Sequence, residues 1–176
     1  SAASDVYKRQ VSDLAYHKLL ADQEQQNGFA VLPTFRPDGL MNIDAPGFAD
    51  YLQTLGQAAG VSITDWASLK AAAAQRVEYF HSVGGRMADH GANTFYFAPA
   101  TDQEVEDIVA RAIAGETPDA SQVRAYQTAL TLVLMGEYAA HGWTMQIHAN
   151  CLRNDSTVNF RAIGPDAGFD SAGCLL

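Results

Sequence analysis

A chain of 176 residues that is 48% hydrophobic fits one ordinary domain with its own core, which excludes a disordered polypeptide. The net charge of −9, with 11 Lys and Arg scattered along the chain, argues against a surface built for nucleic-acid phosphates. No apolar run approaches the length of a membrane span, and no positively charged leader with an apolar stretch behind it is found, so a soluble cytoplasmic protein is expected, with neither nucleic acid nor membrane as partner.

The opening SAASDVYKRQ has no apolar period and no capping pattern. It matches one reading frame of a sequencing-transposon adapter, and the final CLL matches the start of that adapter's reverse complement. Residues 1–10 and 174–176 are therefore expected to be library scars, with residues 11–173 an internal part of a longer protein. With Cys174 set aside, Cys151 has no partner, so a disulfide framework is excluded and a small packed thiol is expected. Over residues 11–26 the apolar Val11, Leu14, Ala15, Leu19 and Leu20 recur at helical spacing, and Asn27-Gly28 supplies the stop. FAVLPTF then predicts a short buried strand ending at Arg36-Pro37. Helices follow over FADYLQTLGQAA and WASLKAAAAQRVEYFHSV, the second with Ser62 and Asp65 as candidate caps and Gly84-Gly85 behind it. GRMADHG predicts a second strand that leaves Asp89 and His90 at its C-terminal end. TDQEVEDIVARAIAG opens with acids, where a helix N-terminus favours negative charge. DASQVRAYQTALTLVLMGEYAAHG predicts a long apolar-faced helix ending at Gly142. WTMQIH completes the order as a third strand, delivering His148 with Arg153 in the loop beyond. No internal repeat or low-complexity segment interrupts this order.

Short apolar strands separated by helices imply parallel pairing, because each return crossover needs a helix. A doubly wound sheet and a barrel both satisfy this. No glycine-rich phosphate loop follows a strand, which disfavours a dinucleotide fold. Arg36, then Asp89 with His90, then His148 with Arg153 stand just past successive strands, which is the edge where an α/β barrel gathers its reaction groups.

VLPTFRPDGLMNID, ADHG, GWTMQIHANCLRND and GPDAGFDS together resemble the uronate isomerases, also called glucuronate isomerases, of the amidohydrolase superfamily. The likeness extends over residues 11–173. The family pattern runs close to PTxRPD, SDHG, QLHIGALRNNNT and GPDTGFDS. Here HANCLRND replaces HIGALRNN, Ala88 replaces a small polar residue, and Ala167 and Ala172 stand where the family tends to carry Thr and Ile. None of these departures removes a charged group, although Asn150 and Cys151 alter the loop carrying Arg153. The resemblance implies a distorted α/β barrel of the (β/α)8 TIM type, of which this chain would span about strands three to five with helical insertions. It also implies interconversion of D-glucuronate with D-fructuronate and of D-galacturonate with D-tagaturonate. A divalent metal, commonly zinc, would be held by a His-x-His pair at the first strand and an Asp at the last. No H-x-H occurs in this chain, so that site would be incomplete here. A hexuronate is the implied small-molecule partner, and the full-length enzyme leaves room for a homo-oligomer.

Moving a proton between C1 and C2 through an enediol needs a base, an acid for the carbonyl oxygen and a grip on the substrate's carboxylate. Arg36 and Arg153 are the candidate substrate-binding residues, since a guanidinium offers paired donors in a fixed plane. Without the resemblance, an arginine after a strand is more often a surface ion pair. His148 is a candidate catalytic residue or metal ligand, against the alternative of a core histidine satisfied by a carbonyl. Asp89 is the other candidate catalytic residue, to orient a substrate hydroxyl or a water, against the alternative of a cap. His90, its neighbour, would point to the opposite face of an extended strand and ranks below it for substrate binding. His17, His81 and His141 lie on helices and are expected to be solvated, and Asp166 and Asp170 are given no catalytic role. Two other functions stay open: a metal-dependent hydrolase on the same barrel, in which a metal-bound water attacks a scissile bond, and a catalytically inert fragment.

Overall fold

The computed structural model describes residues 9–92, 96–165 and 167–173, so residues 1–8, 93–95, 166 and 174–176 lie outside the described residues. In chain order the helices are α1 (Ala15–Asp22), α2 (Glu24–Asn27), α3 (Asp38–Met41), α4 (Phe48–Ala59) and α5 (Trp66–Ser82). Strand β1 (Met87–Ala92), α6 (Asp102–Ile113), α7 (Ala120–Ala140) and β2 (Thr144–Ala149) follow. A hairpin of β3 (Cys151–Leu152) and β4 (Ser171–Ala172) encloses α8 (Thr157–Ile163). The fold is α/β, with helices predominating.

α5, α6 and α7 each start where a side chain caps them. Asp65 accepts from the Ser68 amide at 2.7 Å while Ser68 Oγ accepts from the Asp65 amide at 3.1 Å, and the same reciprocal box is built by Thr101 with Glu104 and by Asp119 with Gln122. Asp65 therefore caps α5. The first predicted helix is instead divided. Its apolar spacing is unbroken, yet Gln23 has left helical geometry, and the Asn27-Gly28 stop closes only the four-residue α2, with Gly28 at φ 71°.

FAVLPTF is not a strand. Phe35 alone bridges the sheet, its amide donating to the Met87 carbonyl at 3.1 Å and its carbonyl accepting from the Asp89 amide at 2.8 Å. Pro33 has no amide to give a ladder, and Phe29 and Leu32 are 60% and 55% exposed, so the run lacks both the pairing and the burial of a core strand. β1 and β2 pair in parallel, as the helices between them require. β1 continues to Ala92, so Asp89 and His90 sit within it rather than at its end.

Phe35, Phe80, Tyr138 and Trp143 form an aromatic centre at the inner side of the sheet, with Phe35 and Phe80 edge to face at 5.2 Å. Leu55, Leu69, Val77, Val105, Leu130 and Leu134 join the helices around it. The Tyr126 hydroxyl, buried among them, donates to the Leu40 carbonyl at 2.9 Å and ties α7 to α3. Arg76 is buried with no carboxylate partner among the described residues and is satisfied by three carbonyls, those of Gln10, Ala58 and Ser12. Gln10, set aside on sequence grounds, is thus packed into the fold. His81 and His141 are not simply solvated: His81 Nδ1 accepts from Trp143 Nε1 at 3.0 Å, and His141 Nε2 lies 2.8 Å from Glu78. Among the described residues no helix is long and apolar enough to cross a membrane.

Candidate functional site

The β1–β2 register opposes Asp89 to Gln146, His90 to Ile147 and Gly91 to His148. Side chains alternate along a strand, so Asp89, Gly91 and His148 share one face and His90 takes the other. On the shared face His148 Nε2 comes within 3.2 Å of Asp89 Oδ1, and Arg36 Nη1 lies 3.4 Å from Asp89 Oδ2. Arg36 arrives there because its neighbour Phe35 is bridged to β1. Arg36, Asp89 and His148 therefore form one cluster, in which Arg36 and Asp89 are mostly buried and His148 is 46% exposed.

Two details define what this cluster can do. Asp89 Oδ1 is buried and receives no hydrogen bond from the described residues, since the His148 contact is close but not aligned as one. A buried carboxylate oxygen in that condition is an unsatisfied acceptor at the centre of the cluster. The second detail was not anticipated from sequence: Asp38 accepts from Arg36 Nε at 2.8 Å. Burial raises the Asp38 carboxyl above its ordinary value, although the Arg36 guanidinium pulls it down. The available signal was an acid two residues beyond Arg36, at the first position of what proves to be a short helix.

The other candidates lie elsewhere. His90 faces the core, 4% exposed, with Nε2 2.9 Å from the Tyr138 hydroxyl, and burial pushes its imidazole down to about 4. Arg153 belongs to the β3–β4 hairpin, where Nη1 donates to Asp170 Oδ2 at 2.6 Å while Asp170 Oδ1 accepts from the Asn154 amide. Those two bonds, the amide's first, hold the Asp170 carboxyl below the ordinary range. A cavity of about 240 Å³ lies before α4 and is lined by Asp44, Asp50 and Glu116, acids that would repel a carboxylate ligand. A divalent cation is poorly served by the described residues, because no three His, Cys, Asp or Glu converge, and Arg36 already shares Asp89.

A model of the glucuronate isomerase family matches residues 8–174. The chain belongs to the glucuronate isomerase family. Relatives include the uronate isomerase of Latilactobacillus sakei, 45% identical over 162 residues, which are 92% of this chain and 34% of that protein. The uronate isomerase of Salmonella arizonae is 41% identical over 164 residues, 93% of this chain and 35% of that protein. The fold matches the crystal structure of uronate isomerase from Thermotoga maritima with a TM-score of 0.79 at 24% identity, covering 95% of this chain and 37% of that one. It matches glucuronate isomerase from Caulobacter crescentus with a TM-score of 0.77 at 22% identity, over 94% and 34%. The chain spans about a third of the length of the relatives it matches. Against the family pattern, Asn150 stands in place of a glycine. Its φ of 62° is left-handed, a conformation Asn tolerates better than most residues, and its side-chain amide donates to the Gly173 carbonyl. The departure keeps the turn into the hairpin that carries Arg153.

Proposed function

We propose that this chain forms the part of a hexuronate aldose–ketose isomerase that contributes about strands three to five of a (β/α)8 barrel. D-glucuronate with D-fructuronate, and D-galacturonate with D-tagaturonate, are the substrate pairs of this reading. The observation that carries it is the meeting of Arg36, Asp89 and His148 on one face of the parallel pair β1–β2.

The chemistry follows from those groups. A base takes the proton from C2, the electron pair forms the C1–C2 double bond of an enediol, and the former carbonyl oxygen at C1 is protonated. Collapse of the enediol makes the carbonyl at C2 and returns a proton to C1. His148, half-exposed beside a carboxylate, suits proton exchange, while Asp89 is the group to orient a substrate hydroxyl or a water. Arg36 grips the substrate carboxylate through paired donors, and Arg153 contributes from the hairpin. His90 supports β1 from behind, through Tyr138. His148 is also the one candidate metal ligand in this reading. Cys151, a free thiol, suits a reducing compartment such as the cytoplasm.

The test is conversion of D-glucuronate to D-fructuronate by a polypeptide of family length carrying this chain. Arg36→Lys should raise KM about tenfold, because a point charge replaces a planar fork, and His148→Gln should lower kcat by about 100-fold or more. A family-length polypeptide carrying the unaltered chain and showing no turnover on either uronate would defeat the proposal.

A further inference from the structure

The geometry points to Asp38 and Gly91 as positioning residues that fix the plane of the Arg36 guanidinium against β1, so that the carboxylate specificity of the site depends on a clamp outside the reacting groups. The inference rests on the reading of Arg36 as the uronate grip and adds the device that aims it.

An arginine side chain has several rotatable bonds, and one contact leaves its fork free to swing. Here three constraints act on three different atoms. Nε donates to Asp38 Oδ2 at 2.8 Å, and Nη1 lies 3.4 Å from Asp89 Oδ2. The third atom, Nη2, passes so close to β1 that a Cβ added at Gly91 would stand 3.3 Å from it and 4.0 Å from Asp38 Oδ1. Gly91 has no positive φ, so its backbone does not itself call for glycine. What a side chain would meet is the guanidinium, whose two carboxylate partners leave it little room to retreat. Asp38 is in turn held. It lies beside Gly91, and α3 is seated closely on Tyr51, whose ring would lie 2.7 Å from a Cβ at Gly39. Asp38 and Gly91 thus join the α3 segment to β1 through one arginine.

Arginine reactivity toward phenylglyoxal, read residue by residue by peptide mass spectrometry, tests this on the chain itself. Arg76, enclosed by three carbonyls, reports whether the fold is intact, and exposed Arg111 and Arg161 set the reagent's baseline. Arg36 in Asp38→Asn should react about tenfold faster than in the wild type, the scale of one lost charge-assisted bond, and Asp38→Glu should recover part of the protection. Gly91→Ala should raise the rate as well, with Arg76 still protected. D-glucuronate added to the wild type should slow modification of Arg36, and the Asn variant should need more of it. An Arg36 rate unchanged in both Asp38→Asn and Gly91→Ala overturns the clamp. So does loss of Arg76 protection in both, which would make these residues part of the fold rather than of the site. Failure of D-glucuronate to protect wild-type Arg36 counts against the uronate reading alone, because the clamp is judged from rates without ligand.

Discussion

Asp89 and His90 are adjacent in sequence, yet the strand between them separates two environments. Asp89 meets Arg36 and His148, while His90 is enclosed against Tyr138 with its imidazole near 4. The unfolded chain's histidine titrates near 6.5, so a folded-state value below it means that the unfolded chain binds the proton first as pH falls. Stability from this residue is complete above about 6.5, is lost progressively toward about 4, and changes little below that; the full difference is on the order of 3 kcal/mol. Chemical denaturation at about pH 7 and about pH 4.5 should therefore show a smaller loss in His90→Gln than in the wild type. Equal losses would remove His90 as the cause. At this scale the sequence showed the alternation that divides Asp89 from His90, because period two depends on nothing but the strand. It did not show Asp38 as the partner of Arg36, because that pairing depends on a four-residue helix too short to leave a periodic signal.

Elements were legible where their ends are fixed locally. α4 has the predicted bounds, and α5, α6 and α7 begin one residue after the Asp or Thr that caps them, since a capping box involves only four consecutive residues. Thr101 is the simplest of these to test: Thr101→Ala should cost about 1 kcal/mol by thermal or chemical denaturation, with Thr101→Ser recovering most of it. No loss in the alanine variant would show that Glu104 holds that turn without the hydroxyl. Strands were less legible, because their existence depends on neighbours. FAVLPTF has the composition of a buried strand, but only Phe35 reaches β1; Phe29, Ala30 and Leu32 are exposed, and Pro33, though buried, has no amide to pair. The single bridging residue still matters energetically. Phe35 is fully buried between Phe80, Tyr138 and Trp143, and Phe35→Ala should cost about 3–5 kcal/mol while freeing the segment that carries Arg36. The short β3–β4 pair left no such pattern, since two-residue strands are fixed by the Asp170 and Asn150 hydrogen bonds rather than by composition.

Across the whole molecule, β2 is where the architecture is least covered. Parallel strands are ordinarily enclosed on both faces. Here five of the six β2 residues are exposed, β1 is its one strand neighbour among the described residues, and Ile147 is 42% exposed. An edge of unpaired amides and carbonyls beside an exposed branched apolar residue is a template for pairing with a second copy. The same incompleteness bears on catalysis, since the described residues assemble one arginine, two carboxylates and one imidazole but no metal site, and the chain by itself should not isomerise D-glucuronate. Association and activity are therefore separable. Sedimentation or light scattering should show the 176-residue chain associating as its concentration rises. Ile147→Lys should weaken that association about tenfold, because a charge on an edge strand must be desolvated for another strand to pair there. Phe29→Ser, which removes a still more exposed apolar ring far along the chain from β2, should leave association nearly unchanged. If the Phe29 variant loses association and the Ile147 variant keeps it, the self-pairing surface lies at the N-terminal helices and not at the open edge of the sheet.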